Sequence, residues 1–152
     1  MTSTVIKCPN CGTRNRIAPR ADGVPRCASC HRHLPWAVDA DDESFEVEIT
    51  ASVPVLVDLW APWCGPCKWV APVVEKAAAD HAGELKVVRV DIDRAPAIAR
   101  RFDVTGIPTL VVLRDGTEAS RLSGAPAKPA LEQWITDQLA ELAGDTSTGV
   151  VR

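Results

Sequence analysis

The stretch Val53-Pro-Val-Leu-Val-Asp58-Leu-Trp60-Ala-Pro-Trp63-Cys64-Gly65-Pro66-Cys67-Lys68-Trp69-Val70-Ala-Pro72 decides the fold. Residues 53–60 read as a buried strand, because they are apolar on both faces, as in a sheet covered from both sides. The chain turns at Ala61-Pro62-Trp63. After Cys64, apolar residues return at Val70, Val73, Val74, Ala77 and Ala78, the spacing of one helix face. Strand, turn and helix in this order put Cys64 at or near a helix N-terminus. Pro72 falls inside that helix and predicts a kink.

Two thiols three residues apart at a helix start suit disulfide exchange. The thiolate is the nucleophile, and a free cysteine with a pKa of about 8.5 is little ionised near neutrality. Unpaired N–H groups and the positive end of the helix dipole stabilise a sulfur anion there. A second thiol one turn later can attack the resulting mixed disulfide and release the substrate reduced. Asp58 interrupts the apolar strand six residues before Cys64. Burial raises a carboxyl's pKa, which suits a proton acceptor for the second thiol. Pro66 stiffens the turn between the sulfurs, and Trp60 and Trp63 bracket it.

Further elements follow from the same patterning. A strand is expected at Leu85–Val90, a short helix near Pro96–Phe102 and a strand at Thr109–Leu113. Asp115-Gly116 signals a hairpin, so Thr117–Leu122 returns antiparallel. A last helix begins near Pro129, places Leu131, Trp134, Ile135, Gln138, Leu139 and Leu142 on one face, and ends at Gly144. Residues 144–152 read as a flexible tail. The acidic run Asp39–Glu43 reads as the lead into a helix near Ser44-Phe45. His81 falls at the far end of the dithiol helix, near its C-terminal dipole. The order is that of an α/β sandwich whose mixed sheet is parallel in its first half and antiparallel in its last pair.

Four more cysteines occupy the first 30 residues. Cys8-x2-Cys11-x15-Cys27-x2-Cys30 has zinc-ribbon spacing, each pair gripping one side of a metal. Four thiolates make a closed structural zinc site with no position left for substrate. Residues 5–33 hold too few apolar side chains for a core, so folding there should be coupled to metal binding. Two disulfides are the alternative. His31 and His33 follow Cys30 closely and read as surface residues, since four sulfurs already satisfy zinc. The link to the next domain spans about residues 32–36.

With 152 residues, 46% apolar and 24% charged, the chain fits one ordinary domain plus a metal-stapled module. Neither a membrane-spanning run nor a signal-peptide h-region is present, so a reducing cytoplasm is expected. Lys7, Arg14, Arg16, Arg20, Arg26 and Arg32 stand against Asp22 alone in residues 1–33. Zinc with four thiolates reduces that excess to about +3. No aromatic residue precedes Trp36 for a base to stack on, which argues against nucleic acid.

Val57-Asp-Leu-Trp-Ala-Pro-Trp-Cys-Gly-Pro-Cys-Lys68, followed by Ala71-Pro72, resembles the active-site signature of the thioredoxin family. Gly106-Ile-Pro-Thr109 resembles its cis-proline loop, and Asp115-Gly116 with Gly124 its final hairpin and loop. The resemblance covers residues 36–143, behind a zinc ribbon at 1–34, an arrangement similar to the thioredoxin-2 branch. It implies a thioredoxin fold, a central mixed sheet flanked by helices, and reduction of client disulfides by a monomer recharged by a thioredoxin reductase. By resemblance, Cys64 attacks, Cys67 resolves, Asp58 is the buried acid and Pro108 the cis-proline that aligns the substrate backbone. Trp63, Gly65, Pro66, Ile107, Gly124 and Ala125 would form the docking patch. Arg89 takes a position where many thioredoxins have lysine, and arginine cannot release a proton. Trp69 is bulkier than the resemblance suggests and is assigned only packing. Two other readings keep the same residues: a ribbon-led chaperone or adaptor, and a redox sensor in which oxidation ejects zinc.

Overall fold

The computed structural model describes residues 4–19 and 22–151; Met1–Ser3, Arg20, Ala21 and Arg152, counted above in the module, its charge and the tail, lie outside them. Among the described residues, seven strands and four helices follow one another: β1 (Thr4–Lys7), β2 (Arg14–Ile17), β3 (Ala37–Ala40), α1 (Phe45–Ile49), β4 (Val55–Trp60), α2 (Gly65–Asp80), β5 (Lys86–Asp91), α3 (Pro96–Arg101), β6 (Thr109–Arg114), β7 (Thr117–Ser123) and α4 (Lys128–Val151). The main sheet has the order β3-β5-β4-β6-β7. β4 runs parallel to β5 and antiparallel to β6, so the mixed sheet changes character at its central strand.

That central position explains why β4 is apolar on both faces, with Asp58 the one exception. Val55, Val57 and Leu59 join Phe45, Ile98 and Phe102 in one core cluster, on the side of α1 and α3. Leu56 faces the other way, into a cluster with Val70, Val74, Leu131 and Ile135 from α2 and α4. α2 runs unbroken from Gly65 to Asp80 with Pro72 inside it.

Three features depart from the sequence reading. First, the stretch before α1 is not only a helix lead: Ala37–Ala40 pairs in parallel with β5 as the sheet's edge strand. Its acids have divided duties. The Asp41 carboxylate accepts the N–H groups of Glu43 and Ser44 at 3.0 Å each, shaping the turn into α1. Asp42 instead accepts from Ala97 and Ile98 at 3.2 and 3.1 Å, capping α3 from a distance in sequence. Second, α4 does not end at Gly144 but continues to Val151. A glycine inside a helix costs only about 1 kcal/mol relative to alanine, and no proline follows it to force a stop.

Third, the N-terminal segment is not a separate bead. β1 and β2 form an antiparallel hairpin, and Ile6, Cys8, Cys27 and Leu34 share a core cluster with Trp36, Val57 and Val90 of the larger domain. The His33 ring lies so close to the turn after α2 that a Cβ on Gly83 would sit 2.8 Å from it. Just inside the joint, Lys86 is fully buried, 2.8 Å from the Glu48 carboxylate and 4.5 Å from the centre of the Trp36 ring. Burial pushes the Lys86 ammonium pKa down, and its bond to Glu48 opposes that. The few apolar side chains that could not build a core alone are thus completed by the domain they lean on.

Candidate functional site: a dithiol at a helix start and a four-thiol cluster

β4 delivers the chain to Trp60, and the turn brings Cys64 to the N-cap of α2 with extended backbone, φ −83° and ψ 112°. Pro66 stands in the first turn, where a missing N–H costs nothing. The Cys67 N–H donates to Cys64 Sγ at 3.2 Å, the position in which an N-cap side chain accepts. Cys64 and Cys67 are joined by a disulfide, with Cα atoms 5.3 Å apart, and both are at least 96% buried. Ala61, Trp60, Ile92 and Ile107 enclose the pair.

Pro108 adjoins the same place through Ile107, which packs against the pair. It follows a cis peptide bond from Ile107 and immediately precedes β6, whose Thr109 pairs with Leu59 at the end of β4. The Gly124 N–H donates to the Pro108 carbonyl at 2.8 Å, and Gly124 holds φ +91°, a backbone region that favours glycine. Ile107 packs against the dithiol, while Gly124 is exposed and Ala125 half-buried where β7 ends. Trp63 is 69% exposed and donates its indole N–H to the Asp93 carboxylate at 3.0 Å. Gly65 and Pro66 are exposed beside it.

Asp58 is 1% exposed, and burial raises its carboxyl pKa above the ordinary range. The Arg89 guanidinium opposes this, with Nε 3.1 Å from Asp58 Oδ2, and lies 4.8 Å from the centre of the Trp60 ring. Oδ1 of Asp58 is buried and has no hydrogen-bond partner among the described residues. It is an acceptor available for a proton. Arg89 and Trp60 also line a groove of about 840 Å³ that runs past Pro62 and along β3. The ion pair is therefore dry on the Asp58 side and reaches solvent on the Arg89 side.

In the N-terminal module the four sulfurs of Cys8, Cys11, Cys27 and Cys30 lie within 4.8 Å of one another. Cys8 and Cys30 are 3.6 Å apart, and Cys11 and Cys27 3.5 Å. Sulfurs around a tetrahedral ion with bonds of about 2.3 Å stand roughly 3.8 Å apart, so the cluster fits a metal of that size. The two knuckles repeat one loop. Cys8 N–H donates to Thr13 O and Gly12 N–H to Cys8 O; Cys27 N–H donates to Arg32 O and His31 N–H to Cys27 O. Gly12 and His31 take the same positive φ, 80° and 67°. His31 is thus a turn residue, and neither it nor His33 joins the cluster. Cys27 is held down to about 5, chiefly by the Cys30 N–H and further by the Ser29 N–H and the Asn15 side chain, against the cost of burial. Backbone N–H donation, that of Arg32 first, also lowers Cys30. Such surroundings favour the thiolate, the form that binds metal, at Cys27 and Cys30; at Cys8 the Cys11 N–H lowers the pKa, but burial and the side chains of Cys30 and Cys11 outweigh it and the net direction is upward.

Asn15, Ile92 and Asp93 are the residues the sequence reading missed. Asn15 is buried and ties the knuckles together, its amide donating to Thr13 O at 3.1 Å and its oxygen accepting from Ala28 N–H at 2.9 Å. Its one available signal was an asparagine between two ligand pairs. Asp93 lies 30 residues from Trp63 and Ile92 lies 28 from Cys64, and each meets its partner only through the sheet.

The profile of the Thioredoxin family matches residues 37–137. Thioredoxin C-3 of Corynebacterium nephridii is 37% identical over 145 residues, covering 93% of this chain and 99% of its own length. That leaves too little of the chain outside to omit most of the four-cysteine segment. Thioredoxin of Mycolicibacterium smegmatis is 47% identical over 105 residues, 67% of this chain and 94% of its own. The bifunctional thioredoxin reductase/thioredoxin of Mycobacterium leprae is 42% identical over 106 residues, 69% of this chain and 23% of its own length. The dithiol on the α2 cap, the cis-proline before β6 and these matches agree. This chain belongs to the thioredoxin family.

Proposed function

We propose that this chain reduces disulfides in oxidised client proteins through Cys64 and Cys67 and is recharged by a thioredoxin reductase. The observation that carries this is the pair itself: a disulfide across the first turn of α2, one sulfur at the N-cap and both beside the cis-proline strand. In the reduced state the Cys64 thiolate attacks a client disulfide. One client sulfur bonds to Cys64 and the other leaves as a thiolate. Cys67 gives its proton to the Asp58 carboxylate and attacks Cys64 Sγ. The intramolecular disulfide forms, and the second client sulfur leaves with the remaining electron pair. Two electrons pass to the client, and the dithiol becomes the disulfide.

Pro108, in this reading, presents its backbone to the client chain, and Trp63, Gly65, Pro66, Ile107, Gly124 and Ala125 form the docking face. The reductase partner is favoured by kinship with a relative whose name joins reductase and thioredoxin in one chain. Cys8, Cys11, Cys27 and Cys30 hold a structural zinc ion, the preferred metal of a four-thiolate tetrahedron. We assign residues 1–34 to the ribbon and 36–143 to the thioredoxin domain. A monomer in the cytoplasm belongs to this reading, because thiolates that hold zinc persist where thiols stay reduced; no helix among the described residues is long and apolar enough to cross a membrane.

Insulin reduction tests the proposal. The wild-type protein precipitates the insulin B chain in the presence of a dithiol donor, and C64S does not. Equal activity of the two would refute it.

A further inference from the structure

Arg89 holds Asp58 with only part of its side chain. Its Nε donates to Asp58, while the terminal nitrogens of the guanidinium make no hydrogen bond or ion pair among the described residues. Arginine carries five N–H donors, so most of the fork is unused. The sheet shows what stands beside it. β5 lies between β4 and β3, and Arg89 is in register with Asp58 on one side and with Asp39 on the other. Neighbouring strands run about 4.8 Å apart, and side chains in register share a face. Val38, Val57, Leu59, Val88 and Val90 all belong to the core cluster beside α1 and α3, so Asp39, Arg89 and Asp58 face the opposite way, in one row.

Asp39 and Arg89 also line the same groove of about 840 Å³, Asp39 at its exposed edge. The other charges along that groove are mostly engaged. Glu48 of α1 is bonded to Lys86, Asp91 stands 4.0 Å from Arg94, and Asp41 holds the turn into α1. That leaves two groove carboxylates with no hydrogen bond or ion pair among the described residues, Asp39 and, from α2, Glu75. Of these, only Asp39 is on a strand that pairs with β5 at Arg89.

Resting on the oxidoreductase reading, we propose that Asp39 is a positioning residue for the resolving step: once Asp58 takes the Cys67 proton, Arg89 turns from the neutral carboxyl to the Asp39 carboxylate. The proton moves from Cys67 Sγ to Asp58, so one negative charge passes from the carboxylate to the thiolate. Arg89 neither gains nor loses a proton; it changes partner. Without a second carboxylate, protonation of Asp58 would leave a guanidinium whose side chain is only 18% exposed beside a neutral acid. With Asp39 in the row, the protonated state keeps an ion pair on the solvent side.

The test follows the Asp58 carboxyl carbon by NMR through a pH titration of reduced, zinc-loaded, full-length protein. D39N lowers the midpoint by roughly 0.2–0.7 pH unit relative to wild type, and D39E, which keeps the charge, restores it. Because Asp39 is exposed, salt at about 1 M removes most of the difference. Above the midpoint, where Asp58 is ionised in both proteins, D39N lowers kcat for insulin reduction about 2- to 5-fold with KM unchanged. An unshifted midpoint, a shift that D39E does not restore, or a shift with unchanged kcat overturns the inference. Failure of the underlying reading looks different, since the wild-type protein itself would then leave insulin unreduced.

Discussion

Asp58 is held between two opposing effects. Burial disfavours its anion, while Arg89, fixed against Trp60, favours it. The net direction is upward, so the folded carboxyl binds its proton at pH values where the unfolded one, near 3.9, has lost it. The linkage sign follows. Below the unfolded pKa both states are protonated, and stability falls as pH rises from there through the folded pKa. D58N removes that dependence. It should raise stability near pH 8 by on the order of 1–2 kcal/mol, with a flatter urea-midpoint profile between pH 4 and 9. The same variant should slow disulfide reduction about 10- to 100-fold, because Cys67 loses its proton acceptor. A variant as fast as wild type, with an unchanged pH profile of stability, would remove Asp58 from the mechanism. Arg89 keeps its charge throughout, so it sets the carboxyl's affinity for a proton and does not carry the proton itself.

At the level of elements, what could be read in advance follows physical rules. β4, α2, β5, β6, β7 and the start of α4 announce themselves by long apolar patterns or by Asp115-Gly116, and they lie where expected to within two residues. β3 does not. Ala-Val-Asp-Ala has a single strong strand former, and it is a strand only because β5 offers it a parallel edge. β1 and β2 are likewise four residues each and are set by the knuckle between them. Cys64, Cys67 and Asp58 were legible because their chemistry is local to one strand-turn-helix. Asp93 and Asn15 were not, since each acts through a bond to a distant partner. Asn15 allows a direct test. Supporting groups around a metal typically change its affinity by about 10- to 100-fold, and N15A should weaken zinc binding by that factor in a chelator competition. Unchanged affinity would mean that the knuckles hold their spacing without the amide.

Considered as a whole molecule, the ribbon and the oxidoreductase domain share one core cluster, running from Ile6, Cys8 and Cys27 through Leu34 and Trp36 to Phe45 and Val57. Loss of metal should therefore be felt beyond residue 34. Chelation of zinc is expected to lower the melting temperature of the entire chain in a single calorimetric transition, followed by the quenched or released fluorescence of buried Trp36. Two separate transitions, the larger one insensitive to chelator, would contradict this. L34A should cost about 2–5 kcal/mol, as expected for a leucine that is fully buried, although it lies outside residues 37–137, which the family profile matches. The same closeness bears on function: Lys86, Glu48 and Trp36 tie the ribbon's joint to β5, the strand that also supplies Arg89.

The nucleophile can be interrogated without a client. In reduced, zinc-loaded protein, the rate of Cys64 alkylation by iodoacetamide is followed against pH, with the modified residue identified by mass. The helix N-terminus predicts a half-maximal rate well below the value of about 8.5 for a free thiol. A midpoint at or above that value would contradict the assignment of Cys64 as the attacking thiolate.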